Sequence, residues 1–206
     1  MLKIHGRNNS SNVQKVLWTC AEMALPFERI DVGGAFGGNR EPAYLALNPN
    51  GLVPVIEDDG VVLWESNTII RYLAARYGDG SLLPGDPAGR GRVEQWMDWS
   101  ATTLGPAMAP LFFGLIRTPP DQRDHAAMDK SRTQTAATLA ILDAELARRP
   151  FVAGDHLTLA DMPAGIIAYR WYAFDIEHPD LPNLAAWYAR LTERPAFRQH
   201  VMIGVT

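Results

Sequence analysis

The stretch VPVIEDDGVVLWES, residues 53–66, contains two short apolar runs on either side of Asp58-Asp59-Gly60. The runs Val53–Glu57 and Val61–Trp64 are rich in β-branched residues, and Asp-Gly is a favoured turn in a tight hairpin. From Glu65 onward the apolar residues recur at helical spacing. The stretch therefore predicts a β-hairpin followed directly by a helix.

The residues before this hairpin predict two further strands around one helix. Leu2–His5 is a short extended run, Val13–Leu25 carries apolar residues at helical spacing, and Phe27–Val32 is a second strand. Two such strands joined by a helix form a βαβ unit, and a short helix at Ala43–Leu47 follows. The resulting order, β-α-β-α-β-β-α, is that of the thioredoxin fold.

The rest of the chain predicts a second domain made only of helices. Residues 79–87 are rich in glycine and proline and are predicted to link a domain of residues 1–78 to one of residues 88–206. Beyond this linker the apolar residues keep helical spacing, and no strand pattern occurs. The predicted fold class is α+β, with a thioredoxin-like domain followed by an all-helical domain.

Composition and charge exclude several classes of function. The 206 residues carry 19 basic and 23 acidic side chains, with no basic run that would neutralise nucleic-acid phosphates, so no nucleic-acid partner is expected. The single cysteine, Cys20, rules out an internal disulfide, and the scattered histidines lack metal-ligand spacing, so no metal is expected. Because no targeting signal or membrane-spanning apolar run is recognised, we expect a cytoplasmic protein without a membrane partner.

The loop before the first helix, Asn9-Ser10-Ser11-Asn12, is a candidate anion site. Redox members of the thioredoxin fold need Cys-x-x-Cys there, so a dithiol oxidoreductase is excluded. What remains is a helix N-terminus with free N–H groups and two hydroxyls, which can stabilise an anion. The alternative is that Ser10 or Ser11 simply caps the helix.

Residues 48–54, NPNGLVP, are followed by Glu65-Ser66 at a helix start, eleven residues after Pro54. This pattern resembles the glutathione transferase family, and the resemblance covers both domains. It implies that Val53-Pro54 is a cis peptide whose Val53 N–H and C=O bind the cysteinyl part of glutathione. It also implies that Glu65 and Ser66 hold the γ-glutamyl amino and carboxylate groups.

The resemblance extends to weaker binding positions. Asn50 stands where related classes carry a polar residue that contacts the glutathione backbone. Arg40, after the glycine-rich loop, would meet the glycyl carboxylate, with a solvated arginine as the alternative.

The catalytic assignment also comes from the resemblance. Ser10 matches the hydroxyl of serine-type members, whereas Asn12 matches an asparagine kept by bacterial members that have threonine in the loop. Ser11 is a weaker candidate. A free thiol has a pKa of about 8.5, and a hydroxyl donor with the helix dipole would lower it by roughly one to two units.

The function implied is that of a glutathione transferase, in which glutathione is the co-substrate and its thiolate attacks a small hydrophobic electrophile. Homodimerisation and a role in detoxification are implied as well. The alternatives are a glutathione-dependent disulfide reductase or peroxidase, and a non-catalytic glutathione-binding protein.

The helical domain would supply the electrophile pocket and a structural motif. Two or three of its large side chains are expected to touch a substrate. The candidates are Trp96, Trp99, Thr103, Met108, Phe112, Phe113, Trp171 and Tyr172. Thr158-Leu159-Ala160-Asp161 resembles a capping box of the family, in which Thr158 accepts from the Asp161 N–H and the Asp161 carboxylate reaches back.

Overall fold

A computed structural model describes residues 1–206 of the protein. The first part of the chain forms four strands: β1 (Leu2–His5), β2 (Phe27–Ile30), β3 (Val55–Asp58) and β4 (Val61–Trp64). They form one sheet in the order β2-β1-β3-β4, in which β1 is parallel to β2 and antiparallel to β3. The hairpin β3–β4 is antiparallel, with Asp58 opposite Val61.

Three helices belong to this sheet: α1 (Ser11–Glu22), α2 (Pro42–Leu47) and α3 (Ser66–Tyr77). A 3₁₀ turn at Gly34–Phe36 lies between β2 and α2. The β-α-β-α-β-β-α order predicted from the sequence is therefore confirmed. Strand β3 begins at Val55 rather than Val53, because Pro54 has no N–H to donate to a neighbouring strand.

The second part of the chain is helical, as predicted. A continuous run starts with α4 (Pro87–Trp99), passes through a π-helical turn at Ser100–Leu104, and continues as α5 (Gly105–Phe112) to a second π turn at Phe113–Arg117. A 3₁₀ turn at Pro120–Gln122 follows. The remaining helices are α6 (His125–Leu146), α7 (Asp161–Ala173), α8 (Pro182–Thr192) and α9 (Pro195–His200).

The run Pro87–Arg117 is continuous although it contains Gly105-Pro106 and Pro110, residue types that usually interrupt a helix. It is 31 residues long, and by length and composition it is apolar enough to cross a membrane. In the folded chain this run packs on α6, where the Ser131 hydroxyl donates to the Ala107 C=O at 2.5 Å and accepts from the Leu111 N–H at 3.1 Å. Core helices of soluble proteins satisfy the same length and composition test.

The two parts share one hydrophobic core around α1. Trp18 is fully buried and meets the ring of Phe197 edge-on, with the centroids 4.8 Å apart. A Cβ on Gly165 of α7 would lie 3.2 Å from the Trp18 ring, so the missing side chain lets α7 approach α1. Cys20 is buried in this core, and burial raises the pKa of its thiol to about 12. Cys20 is therefore a packing residue of the core.

Candidate functional site

A cleft of about 820 Å³ lies between the two halves of the chain. One wall combines the loop before α1, the first turn of α1 and the start of α3. The opposite wall is formed by the long helical run and α7. The polar side chains that line it are Arg7, Ser10, Ser11, Asn12, Lys15, Glu65, Ser66, Asn67, Ser100, Arg117 and Arg170.

Ser10 occupies the N-cap position of α1 but does not cap the helix with its side chain. Its backbone is extended (φ −81°, ψ 125°), and its C=O accepts from the Gln14 N–H at 2.8 Å. The hydroxyl makes no hydrogen bond to the helix, so the capping interpretation of Ser10 is wrong. The hydroxyl lines the cleft with its hydrogen-bonding capacity unused.

Asn12 and Ser66 connect the first turns of α1 and α3. The Ser66 hydroxyl donates to the Asn12 Oδ1 at 3.2 Å. Because this contact uses the Asn12 oxygen, the amide N–H₂ of Asn12 is left free as a donor. The structure thus brings Ser10, Asn12 and Ser66 to one cleft from positions more than fifty residues apart in sequence.

Glu65 lies at the N-cap of α3 in an uncommon backbone conformation. Its φ is +71°, a value that non-glycine residues seldom adopt. The side chain makes no cap hydrogen bond and lines the cleft, while the backbone C=O accepts from the Ile69 N–H at 2.9 Å. An exposed carboxylate in this position can accept an ammonium group of a ligand.

The remaining predicted binding residues lie outside the cleft lining. Val53-Pro54 is a cis peptide, as expected, and Val53 packs against Gly6 and Gly33. The Val53 N–H and C=O have no hydrogen-bond partner within the protein.

Asn50 and Arg40 are engaged with the loop that follows α2. The Asn50 side chain donates to the Asn48 Oδ1 at 3.1 Å, and the Arg40 guanidinium donates to the Asn50 C=O at 3.2 Å. Both side chains are exposed. The structure therefore places these two residues together, but apart from Ser10 and Ser66.

Sequence reasoning missed Lys15, which reaches into the cleft from the second turn of α1. Its ammonium donates to the Ser66 hydroxyl at 3.2 Å and to the Asn67 Oδ1 at 3.3 Å. Burial lowers the pKa of Lys15 to about 8, with Glu65 acting in the opposite direction and Arg170 adding to the decrease. Its position four residues after Ser11, on the same helix face, was the available signal.

Three arginines in the cleft were missed as well: Arg7, Arg117 and Arg170. Burial, followed by repulsion from Arg117 and Arg7, lowers the pKa of Arg170 to about 10. Arg170 follows Ile166 and Ile167 at helical spacing, so the helix period would have placed it on their face. Nothing in the sequence showed that this face borders a cleft.

The apolar part of the cleft comes from the long helical run and α7. Its members are Ala101, Pro106, Met108, Ala109, Phe112, Phe113, Pro163, Ile166 and Ile167. Of the eight side chains considered from the sequence, Met108, Phe112 and Phe113 line the cleft. Trp171 is fully buried, and Trp96 packs edge-on against Trp99 with their centroids 5.0 Å apart.

The Thr158–Asp161 motif is structural and lies outside the cleft. The Asp161 carboxylate reaches back to the Thr158 N–H at 2.9 Å, as predicted. The other half of the predicted box is wrong, because the Thr158 hydroxyl accepts from the Ala160 N–H at 3.3 Å rather than from Asp161. No group of three or more His, Cys, Asp or Glu side chains is placed to hold a metal ion.

Comparison with known families gives two matches along the chain. Residues 9–76 match the glutathione S-transferase N-terminal domain, and residues 104–195 match the glutathione S-transferase C-terminal domain. The first match begins at the loop before α1 and ends near the end of α3. The second begins at Leu104, the last residue of the π turn before α5, and includes all of α7.

Individual relatives match over nearly the full length. Glutathione S-transferase GstB of Escherichia coli is 47% identical, with 100% of both chains covered. Glutathione S-transferase 3 of Zea mays is 33% identical, over 97% of this chain and 93% of the relative. Among solved structures, the theta class glutathione S-transferase of Xanthomonas axonopodis pv. citri with glutathione bound superposes with a TM-score of 0.96. Its sequence is 48% identical, over 100% of this chain and 99% of that one.

Proposed function

Because this chain belongs to the glutathione S-transferase family, we propose that its cleft activates the thiol of glutathione and that Ser10 is the group that does so. The chain is a glutathione transferase, and glutathione is its co-substrate. The observation that carries the proposal for Ser10 is its unengaged hydroxyl at the amino end of α1, inside the cleft.

Glutathione binding is proposed to use the start of α3 and the neighbouring loop. The Glu65 carboxylate suits the γ-glutamyl ammonium, and the Ser66 hydroxyl with the α3 N–H groups suits the carboxylate beside it. The unpaired Val53 N–H and C=O supply one donor and one acceptor for the cysteinyl part. Asn50 and Arg40 complete the proposed set at the glycyl end, held next to each other by their mutual hydrogen bond.

Thiol activation follows from the chemistry of the α1 terminus. The hydroxyl of Ser10 can donate to a sulfur anion more strongly than to a neutral thiol, and the positive end of the helix dipole acts in the same direction. Each unit by which the thiol pKa falls corresponds to about 1.4 kcal/mol of preference for the thiolate. Asn12 is the rival donor, because its amide N–H₂ is free. Either donor would act on the thiolate before it attacks the electrophile.

The alternatives considered from the sequence are not favoured. A glutathione-dependent disulfide reductase or peroxidase, and a non-catalytic binding protein, would each keep the same cleft. The relatives matched over the full length are named as transferases. A panel of chloronitrobenzene, hydroperoxide and hydroxyethyl disulfide assays separates these activities.

We propose a cytoplasmic homodimer with a role in detoxification of small electrophiles. The face of β4 that carries Val62 and Trp64 supports dimerisation, since these side chains and nearby Leu52 are 41%, 38% and 59% exposed. Apolar groups left in water on an edge strand are typical of an interface. Light scattering on wild type and on Trp64→Glu tests this, with a dimer expected for the first and a monomer for the second.

The test of the catalytic assignment is the pH profile of kcat/KM with 1-chloro-2,4-dinitrobenzene. Ser10→Ala should move the ionisation step towards alkaline pH by about one unit and lower activity about tenfold at neutral pH. Activity should recover partly at high pH, where the thiolate forms unaided. Ser11→Ala, a neighbouring hydroxyl in the same cleft, is the matched control and should leave the profile in place.

The result for Asn12→Ala decides between the two donors. If Asn12→Ala moves the profile while Ser10→Ala does not, the catalytic assignment of Ser10 is wrong. If neither variant moves it, the backbone N–H groups of α1 activate the thiol.

A further inference from the structure

We propose that the electrophile half of the cleft is built for an anionic acceptor, and that Arg170 and Arg117 bind a carboxylate carried by the electrophile. This inference rests on the proposed function, because it assigns a substrate class to the same cleft. It departs from the expectation of an acceptor recognised by apolar contact alone.

The first observation is the charge balance of the cleft. Its lining holds four cationic side chains, Arg7, Lys15, Arg117 and Arg170, against the single carboxylate of Glu65. Arg7, Lys15 and Arg170 take part in no ion pair of the structure, and Arg117 donates only to an oxygen of Thr206. The chain as a whole carries a net charge of −4, so the positive charge is concentrated at this site.

The second observation is the setting of Arg170. Its guanidinium carbon lies over the Phe112 ring, 4.3 Å from the ring centroid, so the charged group is in contact with the apolar wall. The guanidinium makes no hydrogen bond to the protein, so its N–H groups remain as donors for a ligand. Burial lowers the pKa of Arg170, and repulsion from the charges of Arg117 and Arg7 adds to the decrease. A bound anion would relieve that repulsion.

Arg117 is positioned beside Arg170 by the end of the chain. Its guanidinium donates to the Thr206 C=O at 2.8 Å, and its central carbon lies 5.9 Å from the centroid of the same Phe112 ring. Both guanidinium groups lie near one aromatic ring, and each offers planar N–H donors of the kind that bind a carboxylate.

The position of this pair assigns the anion to the electrophile rather than to glutathione. Arg117 and Arg170 arise from the helical wall, among Phe113, Ile166 and Ile167. The proposed γ-glutamyl contacts lie on the other wall, at the start of α3. An acceptor with an apolar body and a terminal carboxylate would contact both isoleucines and place its charge on the arginines.

The reaction needs no additional reagent. With 4-chloro-3,5-dinitrobenzoate, the glutathione thiolate attacks the ring carbon that bears chlorine. A carbon–sulfur bond forms, the carbon–chlorine bond breaks, and chloride leaves with the bonding electron pair. The thiol proton has already passed to solvent, and the carboxylate of the acceptor keeps its charge throughout.

The experiment compares this acceptor with its methyl ester, each rate being divided by the uncatalysed rate with glutathione at the same pH. We expect wild type to prefer the carboxylate, and we expect Arg170→Met to reduce this preference about tenfold, since a charge-assisted contact is lost. Arg170→Lys should restore part of the preference. Arg92→Met, at an exposed arginine of α4 outside the cleft, is the matched control and should leave the preference unchanged.

Several results would overturn the proposal. One is an equal loss of both activities in Arg170→Met, and another is a loss of preference in Arg92→Met. A third is a tenfold weaker affinity for glutathione in Arg170→Met, measured by calorimetry, with the acceptor preference unchanged. If wild type turns over neither acceptor, the failure lies with the proposed function instead.

A second measurement needs no variant, in case Arg170→Met does not fold. The unreactive 3,5-dinitrobenzoate should inhibit wild type at lower concentration than its methyl ester, and added salt should weaken the inhibition by the carboxylate only. Equal inhibition constants for the two compounds, or a salt effect common to both, would contradict the inference.

Discussion

Asp161 and Arg170 are charged side chains of the same helix, α7, but they differ in how many hydrogen-bond partners the protein gives them. Asp161 is completely buried, and its carboxylate accepts four hydrogen bonds within 3.2 Å. The donors are the N–H groups of Val152 and Thr158, the Thr158 hydroxyl and the Trp187 indole. Arg170 faces the cleft and lies over the Phe112 ring, but it makes no hydrogen bond or ion pair within the protein.

The contrast separates the scaffold from the site. A buried polar group without partners is costly, so a group that serves the fold is satisfied inside the protein. A group that serves a ligand must keep its donors or acceptors free until the ligand arrives. By this criterion Asp161 is part of the scaffold, whereas Ser10, Glu65 and Arg170 belong to the site.

The largest expected effect is the removal of the scaffold charge. Asp161→Ala leaves two N–H groups and an indole without an acceptor, so we expect a loss of about 3–5 kcal/mol in the free energy of unfolding. Urea denaturation followed by circular dichroism measures it. Asp155→Ala, an exposed aspartate in the preceding loop, is the matched control and should change the free energy by less than about 0.5 kcal/mol.

The assignment of Asp161 to the scaffold would be wrong if Asp161→Ala unfolded at the wild-type urea concentration but lost turnover. Such a result would place this carboxylate in the chemistry of the enzyme rather than in its scaffold.

A smaller effect is expected at the start of α3, on the site side of the comparison. Glu65→Gln and Ser66→Ala should each raise the dissociation constant of glutathione by tenfold or more, about 1.5–3 kcal/mol, because each loses a contact with a charged group. Stability should change less than affinity. Glu41→Gln is the control, since Glu41 also holds an N-cap position, that of α2, but lies outside the cleft.

Isothermal titration gives the affinity, and turnover at saturating glutathione gives the chemical step. A collapse of kcat at unchanged affinity would show that these residues act on the sulfur instead of holding the far end of the peptide. Some loss of kcat is compatible with binding, because remote contacts also orient the thiol.

The sequence predicted those parts of the fold and site that depend on local pattern. The strands around Asp58-Asp59-Gly60 follow from turn chemistry and β-branched runs. Ser10 and Glu65 were identified by resemblance to the glutathione transferase family, and each stands at a helix start. Lys15 and Arg170 were missed for a physical reason. Periodicity shows which face of its own helix a residue occupies, but the element opposite that face is set by long-range packing.

For the same reason, three further features of the structure could not be predicted from local sequence pattern. Helix α9 (Pro195–His200) has only six residues, which is too short to show a helical period in the sequence. The helical run continues through Pro106 and Pro110, each of which lacks a backbone N–H donor. A π turn flanks α5 on either side, and such turns accommodate irregular backbone hydrogen bonding. Arg40 and Asn50 were grouped by resemblance to a family. The hydrogen bond from the Arg40 guanidinium to the Asn50 C=O depends on the loop conformation, which residue spacing does not predict.

The smallest expected effect concerns Lys15, whose half-buried ammonium is intermediate between the two cases. It has partners in Ser66 and Asn67, yet burial lowers its pKa from 10.5 to about 8. Below pH 8 the folded protein therefore keeps the positive charge of Lys15 at a partly buried position, which lowers the free energy of unfolding. Between pH 8 and 10.5 the unfolded chain binds more protons at this group than the folded one does, so this unfavourable contribution fades as the pH rises.

Lys15→Met removes the charge while keeping most of the side-chain volume. After allowance for partial solvent contact, we expect the variant to be more stable than wild type by about 1–2 kcal/mol at pH 7, and the difference to shrink by pH 10. Affinity for glutathione should fall at the same time, because the Ser66 hydroxyl loses a donor. Urea denaturation at both pH values, with Lys130→Met on the exposed face of α6 as the control, measures the effect. A variant less stable than wild type at pH 7 would assign Lys15 to the scaffold beside Asp161, since its hydrogen bonds would then outweigh the burial of its charge.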